Sequence, residues 1–431
     1  MKYFLPDWGD KIDPDYDFER DQFSRKGNAR HSHDVYAHEV FDTPPYDGIV
    51  VSLSVIEAMP LARKEKIRKS DIRKYLRLDD ERHKNLIIMG DCGAFSYVNE
   101  EKPRYSVEEV VSFYEEMDFD WGVAPDHLVV DQVYEINPEG KYELDENGKR
   151  KTRRLTDEEK KERKRITLEN ASEFLKGVKG KGFPFIPFAS AQGWDVESYQ
   201  DCVCQLIDMG YTHITIGGMA RRTTNTIKRV LSGIHQTMSE RKLGDSINLH
   251  LLGVGRLSIL EDLVKNGISS FDSGSFYRNA WTRETHNYYS KNNGWYAAIR
   301  IPQAKRSRMR VAAQAKNVSL KTLGEMEQNA LEAIRAYDRG EIGMENALLT
   351  VLKYDQLLFR NGVDGKLEEM YRRTLRDKPW KQCGCEICTG RIGVDVIIFR
   401  GGDRNRRRGF HNLRMFYEKL QAELQRFDNG S

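Results

Sequence analysis

A chain of 431 residues, 39% hydrophobic and 31% charged, has the material for one large domain with an added subdomain, or for two domains, under a highly charged surface. Its formal net charge of +3 is too small to identify a nucleic-acid partner, so the local distribution of charge has to carry that argument. No apolar run approaches the roughly eighteen residues of a membrane-crossing helix, and the opening MKYFLPDWGDKIDPDYDFERDQ is acidic and aromatic with no apolar signal core; the expectation is a cytoplasmic protein with no membrane partner.

In chain order, residues 1–45 read as an N-terminal arm. His31, His33 and His38 within it have no cysteine or paired acidic ligand set beside them, so they read as polar residues of the arm rather than as a metal site. Short apolar runs then predict strands at Ile49–Ile56, Asn85–Asp91, Trp121–Asp126, Phe183–Gln192, His213–Gly218, Asn248–Gly255 and Ser269–Ser273, with an eighth candidate at Val394–Phe399. Amphipathic, charged runs between them predict helices, and Ser106-Val-Glu-Glu109 and Thr156-Asp-Glu-Glu159 read as capping boxes. Cys202 and Cys204 sit two residues apart in the predicted helix Val196–Met209 and point to different faces, which favours core packing.

Two segments break this rhythm. Gly140–Arg165, inside an insertion spanning residues 138–165, is densely charged and predicts an exposed hairpin or helix with a solvated face. Residues 276–382 predict a mainly helical insertion carrying Lys305-Arg-Ser-Arg-Met-Arg310. Residues 46–275 would then form the main part of the fold, and residues 383–431 a zinc-binding subdomain whose strand and helix close it. Strand–helix alternation through about eight units predicts an α/β chain folded as a (β/α)8 TIM barrel. The runner-up is a doubly wound open sheet, and no G-x-G-x-x-G opens a helix after any strand to support its dinucleotide-binding form.

Three of the six cysteines fall within Cys383–Cys388, which favours metal over disulfides. Cys383, Cys385 and Cys388, followed by His411, make a four-ligand set suited to tetrahedral Zn2+; with no ligand position left for water, the site would be structural. Between them lies Arg400-Gly-Gly-Asp-Arg-Asn-Arg-Arg-Arg-Gly409, with Arg404, Arg406, Arg407 and Arg408. It reads equally as a phosphate-binding loop or as a solvated turn.

Several predicted strands end in polar or glycine-rich signatures: Gly90-Asp91-Cys92-Gly93-Ala94-Phe95, Pro125-Asp126-His127, Ala191-Gln192-Gly193, Gly217-Gly218-Met219, Gly253-Val254-Gly255 and Phe271-Asp272-Ser273-Gly274-Ser275. In a barrel the C-terminal strand ends converge on one mouth, so Asp91, Asp126 and Asp272 would meet there. Carboxylates accept from N–H groups, whereas a Gln amide and bare backbone N–H groups donate to a carbonyl, a combination that suits a purine-like ring. Two carboxylates also suffice for glycosyl transfer with retention.

These motifs, in this order, resemble the tRNA-guanine transglycosylase superfamily over about residues 45–425. Gly90–Phe95 looks like its D-S-G-G/A-F/Y motif with Cys92 in place of Ser, and Asp120–Asp126 like the segment ending in its base-reading Asp. Gln192-Gly193 and Gly217-Gly218 look like its Q-G and G-G positions, His250–Gly255 like its L-x-G-V-G strand, Phe271-Asp272-Ser273 like its nucleophile strand, and the Cys3His set like its zinc motif. The resemblance implies a ping-pong base exchange with Asp272 as nucleophile, Asp91 as general acid/base, and Asp126, Gln192, Gly217 and Gly218 around the base. Where bacterial tRNA enzymes continue the double glycine with L-A-V-G-E, this chain reads Met219-Ala-Arg-Arg-Thr-Thr224, and it ends about twenty residues after His411 without the further RNA-binding module of archaeal members. These departures resemble the DpdA-like DNA-guanine transglycosylases, which insert 7-cyano-7-deazaguanine (preQ0) into DNA. The implied partners are therefore DNA and preQ0, with tRNA as the alternative polymer, and Arg221 and Arg222 would join the basic loop in holding the strand. A third reading is a non-catalytic, zinc-stabilised nucleic-acid-binding subunit, against which Asp91 and Asp272 count. The oligomeric state, a homodimer being one form, and the need for a helper protein stay open.

Overall fold

The computed structural model describes residues 1–6, 9–137, 139–358 and 365–429. Pro138 of the expected charged insertion and residues 359–364 of the expected helical insertion lie outside the described residues. The chain divides into two compact units: one of its first residues with Tyr46–Gly274, the other of Gly9–Pro45 with the chain from Ser275 onward.

The first unit is a closed barrel of eight parallel strands: β1 (Lys2–Pro6), β2 (Gly48–Ser52), β3 (Ile87–Asp91), β4 (Trp121–Val123), β5 (Ile186–Ala191), β6 (His213–Ile216), β7 (Asn248–Leu251) and β8 (Ile268–Asp272). Neighbours around the barrel follow chain order, and β1 closes the ring between β8 and β2. Seven strands lie where hydrophobic patterning predicts them. The six that carry a polar signature end before it or within its first two residues, because the rest of each signature turns into the loops at the mouth.

The eighth strand differs from expectation. The barrel is closed by Lys2–Pro6, not by Val394–Phe399. Tyr3 pairs with Phe271 and Phe4 with Asp272 on one side, and Phe4 with Gly48 and Leu5 with Ile49 on the other. Phe4 explains the closure. Its ring enters the barrel with Val50, Met89, Val123 and Phe188, lies 5.1 Å from the Trp121 ring, and occupies space that a Cβ on Gly48 would fill. Ile398–Phe399 instead pairs with Ile299–Arg300 in the second unit. The expected N-terminal arm is thus split, with its first residues in the barrel and Gly9–Pro45 in the other unit.

Both capping boxes form, and the longer helix they start, α1 (Asp157–Gly180), braces the mouth. The charged insertion before it is an exposed antiparallel hairpin pairing Gln132–Tyr134 with Thr152–Arg154. In the second unit, Ser275–Thr282 packs on the long helix α2 (Asp403–Asn429), with helices Leu320–Arg339 and Met344–Asp355 beside each other. The expected insertion and zinc subdomain therefore belong to one body with Gly9–Pro45.

Candidate active site and metal centre

Asp91 ends β3. Gly93, two residues on, has φ +82°, and a Cβ there would overlap the Ser54 hydroxyl, so the chain turns back and the Gly93 N–H donates to Asp91 Oδ2 at 3.0 Å. Asp91 is only half-buried as a residue, yet its carboxyl sits deep enough for burial to raise it most, followed by the negative charges of Asp126 and Asp272. Together they push it up to about 7. Of the three strand-end carboxylates expected to meet, Asp126 and Asp272 are thus both within electrostatic reach of Asp91.

Asp126 follows β4 in a segment outside the strand ladder, and α1 holds that segment. Asn170 Nδ2 donates to the Pro125 carbonyl at 3.0 Å, the His127 N–H to Thr167 Oγ1 at 3.0 Å, and Arg163 Nη1 to the Leu128 carbonyl at 2.8 Å. Asp126 is buried, and burial raises its carboxyl against the opposing hydrogen bond from Gln192. That bond runs from Gln192 Nε2 to Asp126 Oδ2 at 2.6 Å, while Gln192 Oε1 accepts the Val129 N–H at 3.3 Å. Gly217 makes room: a Cβ there would overlap the Gln192 amide. Tyr199 anchors the double glycine by donating to the Gly217 carbonyl at 2.8 Å, and Gly218 turns with φ +72°. Cys92, in the position of the motif serine, is buried with its sulfur 2.9 Å from Tyr97 Oη and 3.6 Å from Asp126 Oδ1.

Asp272 ends β8 and is 6% exposed. The Gly253 N–H reaches its Oδ1 at 2.8 Å, and His250 Nε2 lies 3.3 Å from the same oxygen. His250 Nδ1 is 2.9 Å from Ser270 Oγ, so the ring is held from both ends. Both contacts fall on Oδ1, and no hydrogen-bond partner of Oδ2 occurs among the described residues. The contact of His250 with Asp272 is absent from the sequence reading. The signal available was an inward-facing His two strand positions before Leu252, opposite Ser270 in the register of β7 with β8.

Of the expected strand-holding arginines on the barrel, Arg221 is exposed with its guanidinium 5.8 Å from the exposed Phe95 ring. Arg222 is ion-paired with Asp131. The second basic segment is a correction. Arg400–Gly409 is neither a phosphate loop nor a solvated turn: from Asp403 it forms the first turns of α2, and Arg404, Arg407 and Arg408 are buried. Arg404 pairs with Asp21 and Asp395, Arg407 with Asp403 at 2.6 Å, and Arg400 with Asp21 at 2.7 Å and with Glu327. Arg408 donates to the Val396, Ile398 and Ala280 carbonyls and to Asn405. Only Arg406 keeps a substantially exposed side chain, 37%.

In the same unit Cys383, Cys385, Cys388 and His411 converge, with their ligand atoms within 4.8 Å of one another. His411 Nδ1 lies 3.6, 3.4 and 3.4 Å from the three sulfurs. Tetrahedral zinc with ordinary bond lengths requires a sulfur–nitrogen edge of about 3.5 Å, so the donors fit that ion. Second contacts fix the imidazole: Nε2 is 2.8 Å from the Tyr289 carbonyl, and the Tyr288 ring stacks on it at 4.1 Å. No other such cluster occurs among the described residues: His38 is buried against Tyr36, and His31 pairs with Asp34. No helix among the described residues is long and apolar enough to cross a membrane.

A family model described as queuine tRNA-ribosyltransferase matches residues 51–315. A protein of Salmonella montevideo named DNA-guanine transglycosylase is 36% identical over 433 residues, spanning 98% of this chain and 97% of that protein.

Proposed function

This chain belongs to the queuine tRNA-ribosyltransferase family, and from that premise we propose that it exchanges guanine in DNA for preQ0 through a covalent aspartyl–glycosyl intermediate. The observation that carries the chemistry is the pairing of a carboxyl raised to about 7, Asp91, with a carboxylate held at one oxygen only, Asp272. The 36% identity to the named DNA enzyme over nearly all of both chains supports DNA as the polymer.

In this reading Asp272 Oδ2 attacks C1′ of the target nucleotide, and the glycosidic electron pair leaves with guanine, which takes a proton from Asp91. The deazaguanine then enters and attacks C1′ through its ring nitrogen. It gives its proton to Asp91 and releases Asp272 as a carboxylate. A carboxylate suits an oxocarbenium-like transition state without further activation, and a group titrating near 7 is poised to give and take a proton. Asp126, Gln192, Gly217 and Gly218 surround the base, with the Asp126–Gln192 bond opening so that both meet its edge. In a duplex the nucleotide must first leave the stack, at a cost of a few kcal/mol. Cys383, Cys385, Cys388 and His411 would hold one zinc, a structural role that would tie the cysteine segment to α2.

The family model's tRNA description favours a second reading, exchange in tRNA. Labelled preQ0 incubated with DNA or with tRNA separates the two. Label in DNA is the expected result, and label in tRNA alone overturns the DNA assignment. Metal analysis of the same preparation should find one zinc per chain, with none found arguing against the zinc assignment.

A further inference from the structure

We propose that the second unit holds a phosphodiester group of the substrate strand in a cleft between Arg283, Arg306 and Arg308, a site distinct from the buried arginines of α2. The inference rests on the reading that a nucleic-acid strand is the substrate. The cleft measures about 390 Å3 and includes Trp281, Arg283, Glu284, Arg306, Arg308 and Gly401 in its lining. Five guanidinium groups and one carboxylate border it, but the five are not equivalent. Arg300 is committed to Asp355 and Glu284, and Arg400 to Asp21 and Glu327. Arg283, Arg306 and Arg308 are exposed and have no carboxylate partner among the described residues.

Three cations converging on a concave surface without counterions repel one another, and an anion placed among them relieves that cost. A phosphodiester fits best, because planar guanidinium forks match its two free oxygens, while the half-buried Trp281 beside them offers a flat face to a sugar or base. The backbone is built for this approach. Gly401, at φ +85°, has no side chain where the Arg306 guanidinium crosses to reach the Arg400 carbonyl at 3.4 Å; a Cβ there would overlap it. The helix Ser307–Ala315 also begins at this cleft with no side-chain cap on its first N–H groups, adding partial positive charge. The basic run Lys305–Arg310 of the expected helical insertion thus supplies two of the three open arginines.

The test is fluorescence anisotropy of a fluorescein-labelled oligodeoxynucleotide against the full chain over a KCl series. Wild type is compared with Arg306→Gln/Arg308→Gln, with Gly401→Ala, which displaces Arg306 while leaving every charge in place, and with Arg406→Gln as a control. Losing the arginines that neutralise this one phosphate should flatten the slope of log K against log[salt] by about 0.7–0.9. Gly401→Ala should lower affinity several-fold, and Arg406→Gln should change neither. Calorimetry with preQ0 alone should be unchanged in every variant, which verifies the fold. An unchanged slope in the double variant overturns the inference, as does displacement of the oligonucleotide by inorganic phosphate at equal phosphate concentration, which would make this a free-anion site. Base exchange is scored separately. Exchange into DNA with an unchanged slope removes the cleft and keeps the enzyme reading. A flattened slope in a protein that moves no preQ0 into DNA keeps the cleft and removes that reading.

Discussion

Asp91 at the barrel mouth and Asp21 in the second unit are both withdrawn from water, yet they are driven in opposite directions. Burial raises Asp91, and the carboxylates of Asp126 and Asp272 raise it further, to about 7. Burial alone would raise Asp21 as well, but Arg404 and Arg400 more than offset it and hold its carboxyl well below the usual range. Withdrawal from water therefore does not decide what a carboxylate does; the sign of its neighbours does. Surrounded by like charge, an acid keeps a proton it can trade near neutral pH. Surrounded by guanidinium groups, it is locked as an anion and serves the fold.

The comparison is sharpest at the mouth. Asp272→Asn should abolish both exchange and the enzyme–oligonucleotide adduct, whereas Asp91→Asn should leave the nucleophile intact and slow both half-reactions by about 10²–10⁴-fold. Denaturing gels with mass spectrometry of the linked peptide read this directly. An adduct on Asp91, or one that persists in Asp272→Asn, would reverse the assignment. Adduct formation needs protonated Asp91 and should fall as pH rises through about 7, while its resolution by preQ0 needs the ionised form and should fall below that pH. A raised folded-state value also means that ionising Asp91 costs stability, a cost absent in acid and complete above about pH 7. Asp91→Asn should accordingly raise Tm at alkaline pH and have little effect in acid.

Asp21→Asn should do the converse: leave the mouth untouched and cost about 3–5 kcal/mol of stability, because Arg404 and Arg400 would remain buried without their shared anion. Because the folded carboxyl lies below its unfolded value, wild type should lose this contribution as pH falls below about 4. Denaturant melts at neutral and acid pH measure both effects, and an unchanged neutral midpoint would show that Asp395 and Glu327 suffice without Asp21.

The smallest effect is expected at Asp126. Its replacement by Asn exchanges half of an acceptor for a donor beside the Gln192 amide, at about 1–3 kcal/mol in preQ0 binding by calorimetry. Normal affinity would remove Asp126 from base recognition.

The sequence by itself determined the features that are local or that follow from a repeating period. Alternating runs located seven strands, the S-x-x-E and T-x-x-E boxes started two helices, and glycines beside aspartates marked the strand ends that a barrel brings together. The C-x-C-x-x-C spacing located three residues of one Cys3His cluster, since a short loop can present them at once. Tertiary structure alone decided what depends on partners far away in the chain. Lys2–Pro6 is too short to show a period, and it is a strand only because Phe4 fills the space left by Gly48 and packs against Phe188 and Trp121. The run Arg404–Arg408 carries the local pattern of a surface, but Asp21, Asp395 and the carbonyls of Phe18 and Ala280 are brought to it by the fold, and paired charges can be buried where unpaired ones cannot. For the same reason the run Lys305–Arg310, equally charged in sequence, stays open: no carboxylate is delivered to Arg306 or Arg308 among the described residues. A charge pattern records what a segment carries, and only the folded chain supplies or withholds the counter-charge that decides how it is used.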